Sequence, residues 1–581
     1  MGCNHSGLHL RSNIYNEIRN SLISLKTENI NQKKTLIHKF KKISQLKNTR
    51  HAFKKIEYLF SIGSVYEYRI INGPNIDYDP FNGGASQIFK GSGLQKMEEL
   101  IFSENFDEYL FINEVNALDS YLENLILRQK KLENIPDNTL HQILWESFKY
   151  EIYRIESLGI TGFDTPISNW GVEETIPALE GIYRMVKIYK GSEYTPKPIA
   201  NQILIKIRKA QNYIKKNRDF ESFDRLYFIK EFLHPISELI YQVQIHNNWK
   251  IPAKNTGVNH YAKNLWDINF FNNDMYKYIS DIKITKIGKE LFYDENIHPI
   301  KNLSCASCHK PQYAFADKVP FNNTVDNQLL NRNTPGLWNV AFQTRFFLDG
   351  RSLKIQDQIF DVIHNPKEMN SNLEYVLNHL RNSTKYQTLF KEAFGKLPDK
   401  VSILIALEAY IRQLVSFNSN FDKYMRGEKA LISEDVIKGF NLFTGKAKCA
   451  TCHFMPLFNG LLPPFYDEIE FEVLGVPDFH DKNRVTSDLG RYYKSNSELH
   501  KNSFKTTGIR NSHLTAPYMH NGFFNNLDEV LEFYNNGGGI GRGYQVANQT
   551  LPSDSLKLNK QEIAYIISFI KSLEDTVQKT L

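Results

Sequence analysis

The sequence is poor in cysteine, with five among 581 residues. It also has no run of about 18 apolar residues, so nothing in it spans a membrane as a helix. Neither sign of charge dominates. The 71 Lys and Arg against 64 Asp and Glu leave +7, a scattered excess that gives no reason to invoke nucleic acid. There is no short-period repeat and no low-complexity tract. The 41% hydrophobic and 23% charged content excludes disorder as the main state. The start, Met1-Gly2-Cys3-Asn4-His5-Ser6, lacks the apolar h-region of a signal peptide. The length exceeds one ordinary domain of about 100–200 residues and suggests about three.

What cysteine there is falls in a pattern. Cys305-Ala306-Ser307-Cys308-His309 and Cys449-Ala450-Thr451-Cys452-His453 are two copies of C-x-x-C-H, the attachment motif of c-type haem. Two thiols on one tight turn can bond the two vinyl groups of one haem, and the adjacent imidazole can then reach the iron. A zinc site needs four ligands, and each motif offers at most three. Pooling the four thiolates would leave both histidines unexplained. A redox dithiol needs neither the histidine nor a second copy. Two covalent haems are therefore expected, with His309 and His453 as iron ligands. Haem c is attached on the oxidising side of a bacterial membrane, which implies export to the periplasm or cell envelope. Gly2-Cys3 resembles a lipoprotein cleavage site, which makes Cys3 the expected lipid anchor.

Residues 1–265 carry no haem motif. Amphipathic periods such as Ile14, Ile18, Leu22, Leu25 and Ile203, Ile207, Ala210, Ile214 predict a helical domain. Helical spacing also runs over 140–155 and 223–243. Turn clusters interrupt it at Asn72-Gly73-Pro74-Asn75, Asp79-Pro80-Phe81-Asn82-Gly83-Gly84 and Glu193-Tyr194-Thr195-Pro196-Lys197-Pro198. A linker is expected at Pro252-Ala253-Lys254-Asn255-Thr256-Gly257. Helices over 287–292 and 433–443 precede the two haem motifs, the second capped by Ser433. A further helical period covers 401–424. The fold class is mainly α: two haem domains on the class I cytochrome c plan, over 280–425 and 426–581, behind a helical domain over 1–265.

From about residue 287 the chain resembles the bacterial di-haem cytochrome c peroxidase family, which includes MauG. The resemblance rests on Gly288-Lys289-Glu290-Leu291-Phe292-Tyr293-Asp294, Arg332-Asn333-Thr334-Pro335, and Asp349-Gly350-Arg351 with Gln358. It continues through Asn365-Pro366-Lys367-Glu368-Met369, Phe421-Asp422-Lys423-Tyr424, Arg510-Asn511 and Leu514-Thr515-Ala516-Pro517-Tyr518-Met519-His520-Asn521-Gly522. It implies that Glu368 is the distal acid–base group at the first haem and Gln358 its hydrogen-bonding companion. It implies electron entry at the second haem, whose sixth ligand falls at Tyr534, as in MauG, with Met519 as the competitor. It implies a calcium ion between the haems, held by Asn333 and the carbonyls of Thr515 and Pro517; oxygen-only ligands suit calcium. Separately, Gly93-Leu94-Gln95-Lys96-Met97-Glu98 resembles the GxHxxE element of imelysin-like helical domains, with Gln95 where that family has histidine.

Four departures modify these expectations. No histidine lies between His309 and His364, so the first haem should be open without reductive activation. The family's bridging tryptophan is Leu348, which leaves direct tunnelling or another aromatic, with Trp338 and Phe347 nearby in sequence. The family's distal proline is Val362. The N-terminal domain is not part of the minimal enzyme. The activity implied is reduction of hydrogen peroxide to water with electrons from a small periplasmic cytochrome c or cupredoxin. A MauG-like oxidase acting on a partner protein through a high-valent iron state is the alternative. A non-catalytic electron carrier is a second one. A homodimer is a further expectation.

Overall fold

The computed structural model describes residues 4–34, 39–61, 65–78, 88–129, 134–249, 257–271, 281–299, 303–323 and 328–575. Cys3, the turn at 79–84 and all of the expected linker but Gly257 lie outside them. The fold is mainly α. Among the described residues one short antiparallel sheet joins β1 (Phe471–Glu472) to β2 (Phe504–Lys505). No helix among them is long and apolar enough to cross a membrane.

The first region is a helical assembly of α1 (Asn4–Lys34), α2 (Lys39–Lys54), α3 (Val65–Asn72), α4 (Leu94–Phe102), α5 (Glu108–Arg128), α6 (Asp137–Arg154), α7 (Gly171–Tyr189) and α8 (Lys197–Lys216), followed by α9 (Arg225–Phe228) and α10 (His234–His246). The apolar period read from the sequence is its inner face. Ile14, Ile18, Leu22 and Leu25 on α1, and Ile203, Ile207, Ala210 and Ile214 on α8, are all buried. A π-turn at Ile229–Leu233 joins α9 to α10. Pro235 explains it, because proline has no N–H to give the preceding turn. The centre of the assembly is charged. Arg50 pairs with Glu174 at 2.6 Å, Arg154 with Asp164 at 2.6 Å and Lys54 with Glu57 at 2.9 Å, all buried. Buried ions persist only when paired and hydrogen-bonded in this way.

The two C-x-x-C-H turns follow one plan twice. α11 (Ile282–Tyr293) precedes α12 (Cys305–Cys308), and α13 (Ile355–His364), α14 (Leu373–Asn382), α15 (Thr384–Phe394) and α16 (Lys400–Arg412) close that half. In the second half, α17 (Asn420–Met425) and α18 (Glu434–Thr444) precede the turn at Cys449–Thr451. α19 (Tyr492–Ser495), α20 (Leu527–Asn535), α21 (Gly538–Gly541) and α22 (Lys560–Ser572) follow it. α11 crosses α16 and α18 crosses α22, each at a glycine. A Cβ at Gly288 would stand 1.8 Å from the Ala406 carbonyl oxygen, and one at Gly439 would stand 2.0 Å from that of Tyr565. One turn on, Phe292 meets Tyr410 at 5.1 Å and Phe443 meets Phe569 at 5.3 Å. Both phenylalanines also approach the haem-motif histidine, at 6.5 Å for His309 and 6.4 Å for His453.

The period over 401–424 is not one helix. Between α16 and α17 the side chain of Asn339 takes the backbone of Ser416 at both ends, donating to its carbonyl (2.9 Å) and accepting from its N–H (2.8 Å). Those groups are then lost to helix bonding, and Ser419 caps α17 afresh. Ser433 caps α18 as its position predicts.

Two cores result. One lies wholly within the first haem-motif half, from Ile287 to Leu414. The other runs without a break from the N-terminal helices into the second half, through Trp266, Phe421, Phe458 and Phe569.

Candidate haem-binding active site

Each motif histidine is oriented by the loop that follows it. His309 Nδ1 lies 2.8 Å from the carbonyl oxygen of Phe315, and His453 Nδ1 lies 3.3 Å from that of Phe458. A donor at Nδ1 leaves Nε2 as the bare nitrogen that a metal needs. Burial lowers the pKa of both imidazoles, His453 to about 4, which keeps them neutral. In the first turn, Ser304 and Ser307 form a capping box around Cys305–Cys308. Burial pushes the Cys305 and Cys449 thiols up to about 12 and Cys308 to about 11. The two motifs sit in separate halves, and among the described residues no three His, Cys, Asp or Glu are placed to hold a metal ion together. The pooled zinc site is therefore excluded.

A cavity of about 1760 Å³ is lined by Cys449, Cys452, His453, Met519 and Tyr534, and extends toward Leu348, Trp338 and Gln358. Ligand pockets ordinarily measure about 300–1,000 Å³, so there is ample room for a haem. Two thiols and a neutral imidazole at its wall are the donor set that haem c requires, and the second centre fits the group. Tyr534 reaches the cavity from α20; burial raises its phenol pKa, and the neighbouring Cys452, Cys449 and Glu472 raise it further. Both Tyr534 and Met519 face this cavity.

At the first centre Glu368 is half-buried after α13. Asn365 Nδ2 donates to its Oε1 at 2.9 Å, leaving Oε2 open. Desolvation raises its pKa, against the opposing effects of Arg351 and of the Asn365 hydrogen bond. Among the described residues Glu368 makes no ion pair, with Lys367 or otherwise. Its charge also acts on the Cys308 thiol, which places it beside the first haem motif. Gln358 projects from α13 into the large cavity. Both nitrogens of His364 are engaged: Nδ1 with the Phe360 carbonyl at 2.8 Å, Nε2 with the Leu373 N–H at 3.4 Å.

Motif residues form ion pairs both between and within the halves. Arg332 bonds Asp488 through two nitrogens, at 2.7 and 2.9 Å, and Asp349 at 2.6 Å. Arg510 grips the fully buried Asp422 at 2.7 and 2.8 Å and also donates to the Pro456 carbonyl. Leu348 lines the cavity, and its carbonyl accepts the Lys505 N–H at 2.7 Å. Asn333, Thr515 and Pro517 line the same cavity, and Asn333 Nδ2 donates to the Val319 carbonyl at 2.8 Å.

Other neighbours of the second centre lie far from its motif in sequence. Glu472 hydrogen-bonds the side chains of Thr550 and Cys452, and burial raises its carboxyl to about 7. The N-terminal region supplies a wall: Phe163 packs on Phe454, and the Lys448 ammonium donates to the Pro166 carbonyl at 2.7 Å. No sequence signal marks these contacts. The GxHxxE-like segment is occupied by packing bonds. Gln95 donates to the Asn72 carbonyl at 2.8 Å, and Glu98 accepts the Ser168 N–H at 2.6 Å.

The chain matches the family model of di-haem cytochrome c peroxidases over residues 283–430. It is 32% identical over 290 residues to the methylamine utilization protein MauG of Methylorubrum extorquens, covering 50% of this chain and 77% of that protein. It is 27% identical over 309 residues to the cytochrome-c peroxidase IdrP2 of Denitromonas iodatirespirans, covering 50% and 81%. It is 29% identical over 294 residues to the cytochrome c551 peroxidase of Nitrosomonas europaea, covering 50% and 79%. The chain belongs to the di-haem cytochrome c peroxidase and MauG family. It is thus a member of an oxidoreductase family whose cofactor is covalently bound haem c.

Proposed function

We propose that the chain is a di-haem peroxidase that reduces hydrogen peroxide to water at the first centre. Two electrons would come from a small periplasmic cytochrome c or cupredoxin and enter at the second centre. The observation that carries this reading is Glu368. A desolvated carboxyl stands beside the first haem motif with one oxygen held by Asn365 and the other open, and His364 is engaged elsewhere.

Cys305, Cys308 and His309 would hold the first haem, and Cys449, Cys452 and His453 the second, with Tyr534 as its sixth ligand. Bound there, the haems supply the one-electron steps. The protein's own share is proton management. Peroxide becomes two water molecules on taking two electrons and two protons. Glu368 Oε2 accepts the proton from one peroxide oxygen and returns it to the other, so that water leaves. Desolvation raises its pKa above the ordinary carboxylate value, which makes it a better proton acceptor. Gln358 orients the substrate by hydrogen bonding. Calcium at Asn333, Thr515 and Pro517 would tie the loops of the two halves together; the shared cavity supports it. Residues 1–265, 280–425 and 426–581 are read as the three domains, with export and a lipid on Cys3.

The MauG-like reading, oxidation of a partner protein, is favoured by one observation: Tyr534, not methionine alone, reaches the second cavity. Turnover with peroxide and reduced cytochrome c separates the two. Rapid oxidation of the cytochrome that Glu368→Gln abolishes supports the peroxidase. No oxidation above the free-haem rate overturns it. A ferric spectrum with two low-spin haems would overturn the open first centre.

A further inference from the structure

The continuous core between the N-terminal helices and the second centre is rich in aromatic rings, and two of them can be oxidised with their protons accommodated. Trp266 is fully buried where the two regions meet. Its ring lies 5.9 Å from Phe458, the residue whose carbonyl engages His453. Its indole N–H donates to Glu156 Oε1 at 2.8 Å, and His234 Nε2 lies 3.3 Å from the same oxygen. Glu156 Oε2 has no hydrogen-bond partner among the described residues. Tyr150 is likewise buried, 5.6 Å from Phe465, a residue of the second-centre cavity wall. Its hydroxyl lies 3.3 Å from His260 Nδ1, and Glu146 Oε1 lies 2.6 Å from that nitrogen. The two sites are joined ring to ring through Phe417 (6.4 Å), Phe271 (5.9 Å), Phe270 (5.0 Å) and Tyr153 (5.4 Å), the last 6.1 Å from Tyr150.

We propose that Trp266, held by Glu156 of the N-terminal domain, and Tyr150 of that domain are one-electron redox stations set against the second haem centre, each with its own proton acceptor. The inference rests on the peroxidatic reading, because hydrogen peroxide acting through the haems is the oxidant. The balance closes without another reagent. Peroxide takes two electrons and two solvent protons and becomes two water molecules. Trp266 gives one electron and passes its N–H proton to Glu156. Tyr150 gives the other; as the proton on His260 Nδ1 moves to Glu146 Oε1, the phenolic proton of Tyr150 takes its place on that nitrogen. Electrons from the donor later refill both, and the protons return. Among the common side chains tryptophan and tyrosine are readily oxidised to radicals, and losing the proton to a neighbour lowers the cost of leaving a positive charge in a buried site. The stations give the N-terminal domain a function, holding oxidising equivalents until a donor arrives.

The test uses the full-length holoprotein, mixed with hydrogen peroxide in the absence of donor and freeze-quenched for electron paramagnetic resonance. The wild type should show a tryptophanyl and a tyrosyl radical. Trp266→Phe should lose the first and Tyr150→Phe the second, with haem content and the untreated optical spectrum unchanged. Glu156→Gln should keep the tryptophanyl signal in its protonated form, seen in the hyperfine coupling of the indole proton. Should Trp266→Phe misfold, Trp266→Tyr replaces the tryptophanyl signal by a second tyrosyl one. Haem oxidation without any organic radical, or radicals that none of these variants alters, overturns the relay and leaves the peroxidase reading standing. A haem spectrum that peroxide does not change overturns both.

Discussion

Replacing Glu368 by glutamine separates its chemistry from its packing. The amide keeps an oxygen where Asn365 Nδ2 donates at 2.9 Å, so the local fold is preserved. What it loses is the one atom able to take and return a proton. Positioned acid–base groups are worth roughly 10²–10⁴ in rate, about 2.7–5.4 kcal/mol of barrier. kcat/KM for peroxide should fall by about that factor, with stability held within about 1 kcal/mol. The pH profile sharpens the test. Peroxide arrives protonated, so Glu368 must start as the carboxylate. Activity therefore falls as pH drops through its pKa, which desolvation holds above the ordinary 4.5. Arg351 and the Asn365 hydrogen bond both oppose that rise. Asn365→Ala and Arg351→Leu should each move the acid limb to higher pH, and Glu368→Gln should erase it. Stopped-flow kinetics over pH reads all three. A Glu368→Gln variant within threefold of wild type, or one that keeps the limb, would refute the assignment.

Arg510→Met should cost about 3–5 kcal/mol, because the fully buried Asp422 loses both guanidinium donors and keeps only those of Ser419; Asp422→Leu with Arg510→Met should recover most of it in chemical denaturation. Gly439→Ala drives a methyl into the Tyr565 carbonyl and should cost about 1–3 kcal/mol, as should Gly288→Ala against Ala406; Gly395→Ala, with nothing within 4 Å, can show only the backbone effect of its positive φ. Tyr534→Phe should shift the low-spin ferric bands of the second haem and leave the first unchanged, while Met519→Leu shifts neither; the reverse pattern assigns the ligand to Met519.

What could be read in advance was what is local. Two cysteines, a histidine and the glycine helix before them are spaced along one stretch of chain, so both centres and the repeated plan were legible. So were the caps, such as Ser433. The period over 401–424 misled, because the bond that interrupts it comes from Asn339, 77 residues away from Ser416. The large cavity was not legible either. Its walls join the turn at Cys449 to Glu472, Phe163 and Thr550, and the Lys448–Pro166 bond spans 282 residues. Periodicity shows which face of a helix is buried, not which distant surface covers it. Motif residues such as Arg332 and Asp422 were recognised by resemblance alone; Arg332 pairs across the halves with Asp488, and Asp422 pairs within the second half with Arg510.

The two halves repeat the same turn, the same helix crossing and the same orienting carbonyl, so ligation on the histidine side cannot distinguish their roles. Their surroundings do. The first turn lies within a core of its own, and the nearby carboxyl of Glu368 is held at one oxygen by Asn365. The second turn is built into the N-terminal helices: Lys448 reaches the Pro166 carbonyl, Phe163 covers Phe454, and Leu158 packs with Leu462. Burial depresses the Lys448 ammonium there. A redox centre walled on that side exchanges electrons either across the remaining mouth of its cavity or through the wall itself. Where the wall is backed by Trp266 and Tyr150, each beside a proton acceptor, it is itself a conductor of charge, and the N-terminal domain belongs to the redox apparatus as much as to the scaffold.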